Sequence, residues 1–147
     1  MQDMERLGKW IAMYNRTIQN WLATALKDFP ELNETNFDYV LIVHDHPGIS
    51  QKELINEVYR EQSIIAKSVK YLVSSGWLRM EKDPNDHRIS RLYSTEKGEA
   101  ANAQLKALAL QADQFAVTGL TETETRELQR LVQKGLRTVM ALKAPGE

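Results

Sequence analysis

The chain has no cysteine. That excludes a disulfide framework, a thiolate nucleophile, a cysteine redox sensor and a cysteine metal site. No apolar run approaches the ~18 residues of a membrane span, and no membrane partner is expected. There is no Gly-rich phosphate loop, no HExxH and no GxSxG, and the three histidines all fall in predicted turns. An enzyme is therefore not expected, nor a cofactor. Net charge is only −1, so the chain as a whole does not advertise nucleic acid. Met1-Gln2-Asp3-Met4-Glu5-Arg6 is charged and lacks the apolar core and cleavage site of a signal peptide, so a cytoplasmic location is expected.

What is present begins with size. At 147 residues the chain can bury a real core as one domain. Its charge is unevenly spread. Residues 1–49 carry 4 Lys/Arg against 7 Asp/Glu, residues 50–98 carry 9 against 7, and residues 99–147 carry 6 against 6. The middle third is the mildly basic part, and distribution matters more than the total for a nucleic-acid partner.

Apolar residues recur at steps of three and four over 5–27: Leu7, Trp10, Ile11, Tyr14, Ile18, Trp21, Leu22, Ala25 and Leu26. This predicts a long amphipathic helix, ended at Asp28-Phe29-Pro30 because the residue before proline avoids the helical region. Asn33 can cap a second helix carrying Phe37, Val40, Leu41 and Val43. His44-Asp45-His46-Pro47-Gly48 reads as a turn. Ser50-Gln51-Lys52-Glu53 is a capping box opening a short helix. A further helix over about 62–75 turns Ile65, Val69, Leu72 and Val73 inward, with Gly76 as its left-handed C-terminal residue.

Residues 77–82 and 89–94 suit two strands, joined by the turn Asp83-Pro84-Asn85-Asp86-His87-Arg88. A helix over about 95–117 follows, with Ala101, Leu105, Leu108, Ala112 and Phe115 at coiled-coil-like steps. A second capping box, Thr121-Glu122-Thr123-Glu124, opens the last helix, and Ala144-Pro145-Gly146-Glu147 reads as a frayed tail.

The predicted fold is mainly α with a small β-hairpin. The short helix, the helix over 62–75 and the hairpin form a winged helix-turn-helix within 33–98, inside a single domain of 1–147. The flanking segments 1–30 and 99–147 are too long and apolar to serve only as its cover. They are expected to be dimerisation helices, and a homodimer is also what a two-fold DNA site requires.

The residues around the hairpin resemble the MarR family of bacterial transcription regulators. The likeness rests on the entry Gly76-Trp77-Leu78, on the tip Asp83-Pro84-Asn85-Asp86-His87-Arg88 with its D-x-R step, and on Leu92-Tyr93-Ser94-Thr95-Glu96-Lys97-Gly98, where the family has L-T-x-x-G. The resemblance implies a homodimer with interleaved terminal helices and two winged modules reaching successive major grooves of a palindromic operator in double-stranded DNA. It further implies release of DNA on sensing a small aromatic compound, a metal or an oxidant, of which cysteine oxidation is excluded by composition. Two departures are visible. The second strand ends in Leu92-Tyr93-Ser94-Thr95, and the recognition helix has Ala66-Lys67 where members often have Thr-Arg. Lysine lacks the bidentate fork of arginine, so the DNA site preferred by other members is not assumed for this chain.

On this reading Arg88 enters a narrow minor groove, braced by Asp86 and accompanied by His87 at the wing tip, with Asn85 or Asp83 holding the turn. Gln62, Ser63, Ala66, Lys67 and Lys70 face the major groove, where Gln bonds adenine, Lys bonds guanine and Ala66 meets a thymine methyl. Ser50, Gln51 and Lys52 at a helix N-terminus are phosphate candidates, as are Arg79, Lys82 and Arg91 on the hairpin. His44, Asp45, His46 and His87 raise a metal site, but no third and fourth ligand is evident, and none is expected. Trp10, Tyr14, Trp21 and Phe37 could line an effector pocket, although such stripes are usually packing; the effector residues are left unassigned.

The expected function is a sequence-specific DNA-binding regulator, a repressor, with DNA affinity set by a small-molecule effector. The alternative is a winged-helix protein-protein interaction module without DNA binding, which the near-neutral charge favours and the wing arginine opposes.

Overall fold

The computed structural model describes residues 6–142. The predicted frayed tail and the charged first five residues lie outside the described residues. The chain divides into two compact units, one up to Ala112 and one from Asp113. The division falls within a helix.

In the first unit the order is α1 (Leu7–Ala25), α2 (Asn36–Asp45), β1 (Ile49–Ser50), α3 (Gln51–Val58), α4 (Gln62–Ser74), β2 (Leu78–Lys82), β3 (Ser90–Ser94) and most of α5 (Glu96–Ala116). The strands form an antiparallel sheet in the order β1-β3-β2. Met80 lies opposite Leu92 and Glu81 opposite Arg91, while Ile49 and Ser50 pair with Leu92 and Arg91 on the other edge. This is a winged helix-turn-helix. The third strand, β1, was not foreseen. Two residues are too few to show a strand period, and β1 exists because the left-handed turn at Gly48 (φ 86°) delivers its N–H to the Leu92 carbonyl at 2.8 Å.

The core is built from Leu54 of α3, Ile65, Val69 and Leu72 of α4, Leu78 and Leu92 of the sheet, and Tyr39, Val40 and Val43 of α2, all at most 1% exposed. Each such aliphatic side chain contributes roughly 1.5–3 kcal/mol by leaving water. This packing fixes the roll of α4, and with it the face that α4 shows to solvent.

Local caps set the element ends. Asn33 Oδ1 accepts from the Thr35 and Asn36 N–H groups at 2.9 and 2.7 Å, and Asn36 Oδ1 returns the favour to Asn33 N–H at 2.8 Å. Ser50 and Glu53 form the reciprocal capping box of α3. At the end of α4, Trp77 N–H bonds Leu72 O and Gly76 N–H bonds Val73 O, with Gly76 at φ 87°. That is the Schellman arrangement. Thr95 Oγ1 then donates to Gly76 O at 2.6 Å and accepts from Gly98 N–H at 3.1 Å. One hydroxyl thus joins the end of α4 to the start of α5.

α1 buries only Leu22 and leaves Leu7, Trp10, Ile11, Met13 and Tyr14 exposed. The second unit holds the end of α5 and α6 (Glu122–Leu142), opened by the Thr121–Glu124 capping box. α6 buries nothing in this chain, and Leu131, Val132, Leu136, Val139 and Leu142 are exposed. None of the described helices is long and apolar enough to cross a membrane.

Candidate nucleic-acid interface

Three pieces of the first unit converge on one surface: α3, the first residue of α4 and the end of the turn between β2 and β3. A concavity of about 540 Å³ lies between them. It brings together Ser50, Gln51, Lys52, Gln62, Arg88 and Arg91, six of the residues singled out from sequence. It also adds Asn56 and Ser90, which sequence alone does not single out because nothing in their neighbourhood marks them.

Because Ile65, Val69 and Leu72 point inward and successive residues rotate by about 100°, the outward line of α4 is Ser63, Lys67, Lys70 and Ser74. All four are exposed. Gln62 and Ala66 flank that line toward the wing, and Ala66 is only half-exposed. Ile64 and Tyr71 flank it on the other edge and are 41% and 47% exposed. A second concavity of about 340 Å³ borders that edge, where Lys67, Ser68 and Tyr71 face Asn33 and Asn36 at the start of α2. α4 is therefore a ridge with a depression on each side.

The turn between the strands is organised by carboxylates. Asp83 Oδ1 accepts from the N–H groups of Asn85 and Asp86 at 2.7 and 3.1 Å. Asp83 Oδ2 takes a 2.6 Å bond from Arg91 Nε, and Arg91 Nη1 bonds Gly48 O at 3.0 Å. The Arg91 guanidinium holds the Asp83 carboxyl below the usual carboxylate range, helped by the Asn85 N–H. Asp86 receives Arg88 Nε and Nη2, one on each oxygen, both at 3.0 Å. This pairing lowers the Asp86 pKa and raises that of Arg88. The Arg88 side chain is nevertheless 89% exposed. A chain of contacts runs from the tip arginine through Asp83 and Arg91 to the turn before α3.

The remaining candidates are distributed as follows. His87 and Lys52 are exposed, and Gln51 is half-exposed. Ser50 is buried, its hydroxyl spent on the Glu53 N–H. Arg79 is paired with Glu81 and lies 4.5 Å from the centre of the Tyr93 ring. Arg91 is held by Asp83 and Gly48. Lys82 ends β2 and is exposed. His44 Nδ1 sits 2.6 Å from Glu99 Oε2, and Asp45 pairs with Lys106 at 3.0 Å. Among the described residues no group of three His, Cys, Asp or Glu could hold a metal ion. The four aromatics occupy different environments: Trp10 and Tyr14 are exposed, Trp21 packs half-buried against the core, and Phe37 lies inside it.

Comparison with known proteins agrees with this geometry. Residues 32–90 match the MarR family model. The HTH-type transcriptional regulator BilQ of Clostridium symbiosum is 30% identical over 96 residues, 65% of this chain and 67% of that one. The HTH-type transcriptional regulator YybA of Bacillus subtilis is 23% identical over 131 residues, 89% of this chain and 87% of that one. The fold is shared with a mutant E. coli MarR solved with operator DNA, at a TM-score of 0.82 and 24% identity, covering 91% of this chain and 96% of the other.

Proposed function

Since the chain belongs to the MarR family of transcriptional regulators, we propose that it acts as a homodimer on a palindromic operator and represses transcription there. Two copies would seat their α4 ridges in successive major grooves. Ser63, Lys67 and Lys70 face the bases in this arrangement, with Gln62 and Ala66 on the wing-side edge. Arg88 enters the adjacent minor groove, and Asp86 and His87 shape the tip around it. The ridge flanked by two depressions suits a groove bordered by two phosphate strands. Gln51 and Lys52 at the start of α3 favour phosphate through the helix N-terminus and a free ammonium. Ser50 supports that start as a cap. Arg79 and Arg91 are already engaged within the sheet, so we read them as braces of the wing rather than phosphate ligands.

The observation that carries this reading is Arg88. An arginine 89% exposed, yet clamped on a turn tied back to the helix-turn-helix, is pre-organised for a narrow groove. The uncovered apolar faces of α1 and α6 support the dimer, since patches of this kind on a soluble chain mark interaction surfaces. A small-molecule effector fits as a ligand that binds one spacing of the two ridges better than another, lowering DNA affinity by that difference.

The test is binding to the DNA upstream of the protein's own gene across a salt series. A dimer touching about six phosphates gives a log–log slope near −5, roughly a thousandfold loss between 50 and 200 mM salt. No binding to any such fragment at low salt would overturn the reading and leave a protein partner as the alternative. Repression is checked with a reporter driven by the bound fragment.

A further inference from the structure

α4 carries an isoleucine that the core does not use. Ile64 is the third residue of the helix and is 41% exposed, beside Ile65 at 0%. Its neighbours one turn on are Lys67 and Ser68, so no apolar side chain of its own helix surface covers it. It has no charge or polar group with which to hold a phosphate. A β-branched side chain is also stiff, presenting its methyl groups in one preferred orientation at small entropic cost.

Residues at the N-terminal end of a helix seated in the major groove are the ones that reach base edges. The apolar feature of that groove is the C5-methyl group of thymine. Ala66 offers a single methyl and is half-buried toward the wing, whereas Ile64 offers a larger apolar surface in the open. We infer that Ile64 reads a thymine in each half-site by packing against its C5-methyl. The inference rests on the DNA-binding reading above and adds a base preference to it.

The experiment removes the methyl and nothing else. Sites are selected with the wild-type protein from a random duplex pool, and each thymine of the selected half-site is replaced in turn by deoxyuridine. One replacement should weaken wild-type binding about fourfold per half-site, or on the order of 15-fold when both half-sites are changed, as expected when one methyl group no longer leaves water on binding. Ile64→Ala should bind the parent site more weakly and be indifferent to that same replacement. Ile64→Val, which keeps the branch, should remain sensitive. Thermal unfolding of Ile64→Ala should match the wild type, because the side chain is not in the core. If Ile64→Ala stays as sensitive as the wild type at every thymine, or if no thymine matters, the inference is overturned while the regulator reading stands. If the wild type selects no sites from the pool at low salt, both fall together.

Discussion

Arg88 meets Asp86 edge-on, its Nε and Nη2 each 3.0 Å from a different carboxylate oxygen. The two residues are separated by only His87, so the turn itself holds them in register. The Asp86 backbone N–H is in turn fixed by Asp83. The guanidinium therefore keeps its orientation without being buried, and Nη1, with the second N–H of Nη2, points away from Asp86 toward a partner.

Replacing Arg88 separates affinity from stability. Arg88→Ala should weaken operator binding by about 10- to 100-fold, the range for removing one specific groove-reading side chain. Its thermal midpoint should stay within about 2 °C of wild type, since an exposed side chain contributes little to folding. Gel-shift titration and thermal unfolding on one preparation check both. An unchanged affinity would remove the wing from the mechanism.

Arg91 should act on DNA only through the wing. Arg91→Ala is expected to lower affinity, and to do so much less in an Arg88→Ala background. A double-mutant cycle reads that coupling. Amide exchange over 83–89 should speed up in Arg91→Ala, because Asp83 loses its 2.6 Å partner. Additive effects would instead make Arg91 an independent phosphate ligand.

The Asp83 and Asp86 carboxylates keep their charge near neutrality. Asp83 and Asp86 both have carboxyl pKa values lowered by their arginine partners. A carboxylate depressed in the folded state stabilises above its unfolded pKa of about 4, and that contribution fades only as pH falls through the lower folded value. With His87 replaced by glutamine, which takes the imidazole out of the wing, the ratio of affinities with Arg88 and with Arg88→Ala should therefore be flat between about pH 5 and 8. A ratio that collapses as pH drops toward 5 would contradict the pairing.

Gly98→Ala tests the join between wing and α5. Alanine in a helix ordinarily stabilises by up to ~1 kcal/mol over glycine. Here an added Cβ would stand 2.9 Å from the Trp77 carbonyl oxygen, which is backbone. The variant should instead be less stable by roughly 1–3 kcal/mol, about 2–4 °C in Tm per kcal/mol for a chain of this size. A gain in stability would mean that the contact relaxes freely.

Val139 and Trp10 probe the proposed dimer. Both are exposed in the single chain, at 60% and 59%, so a charge there costs the isolated subunit little. Val139→Glu or Trp10→Glu in a packed interface leaves an unpaired buried charge. Either should raise the dimer dissociation constant at least ~100-fold, read by sedimentation, with helical content kept. Sedimentation unchanged from wild type would place the interface elsewhere.

Much of this was legible because its signals are local. Capping boxes at Ser50 and Thr121, the glycine after α4 and the Asp-rich turn each declare themselves within a few residues. Three things were not local. β1 is two residues long and is defined by Leu92, more than 40 positions away. The pairing of Arg91 with Asp83 and Gly48 comes from strand register, which no spacing within a few residues declares. On α4 the sequence period turns Ile65, Val69, Leu72 and Val73 inward and leaves Ile64 and Tyr71 at its edge, where period alone does not set their exposure. Only the roll of the packed helix shows that they face outward, and that Ala66 is partly covered.

The knot at Gly76 has a mechanical meaning. The last turn of α4, the two residues that lead into β2 and the first turn of α5 share hydrogen bonds through Gly76, Trp77 and Thr95. From Glu96 to Ala112, α5 runs on the order of 25 Å, a lever fixed at its base to the reading ridge. A tilt of about 5° at that base displaces its far end by ~2 Å. Conversely, a shift of one or two ångströms at the far end of α5 re-aims the ridge by a few degrees.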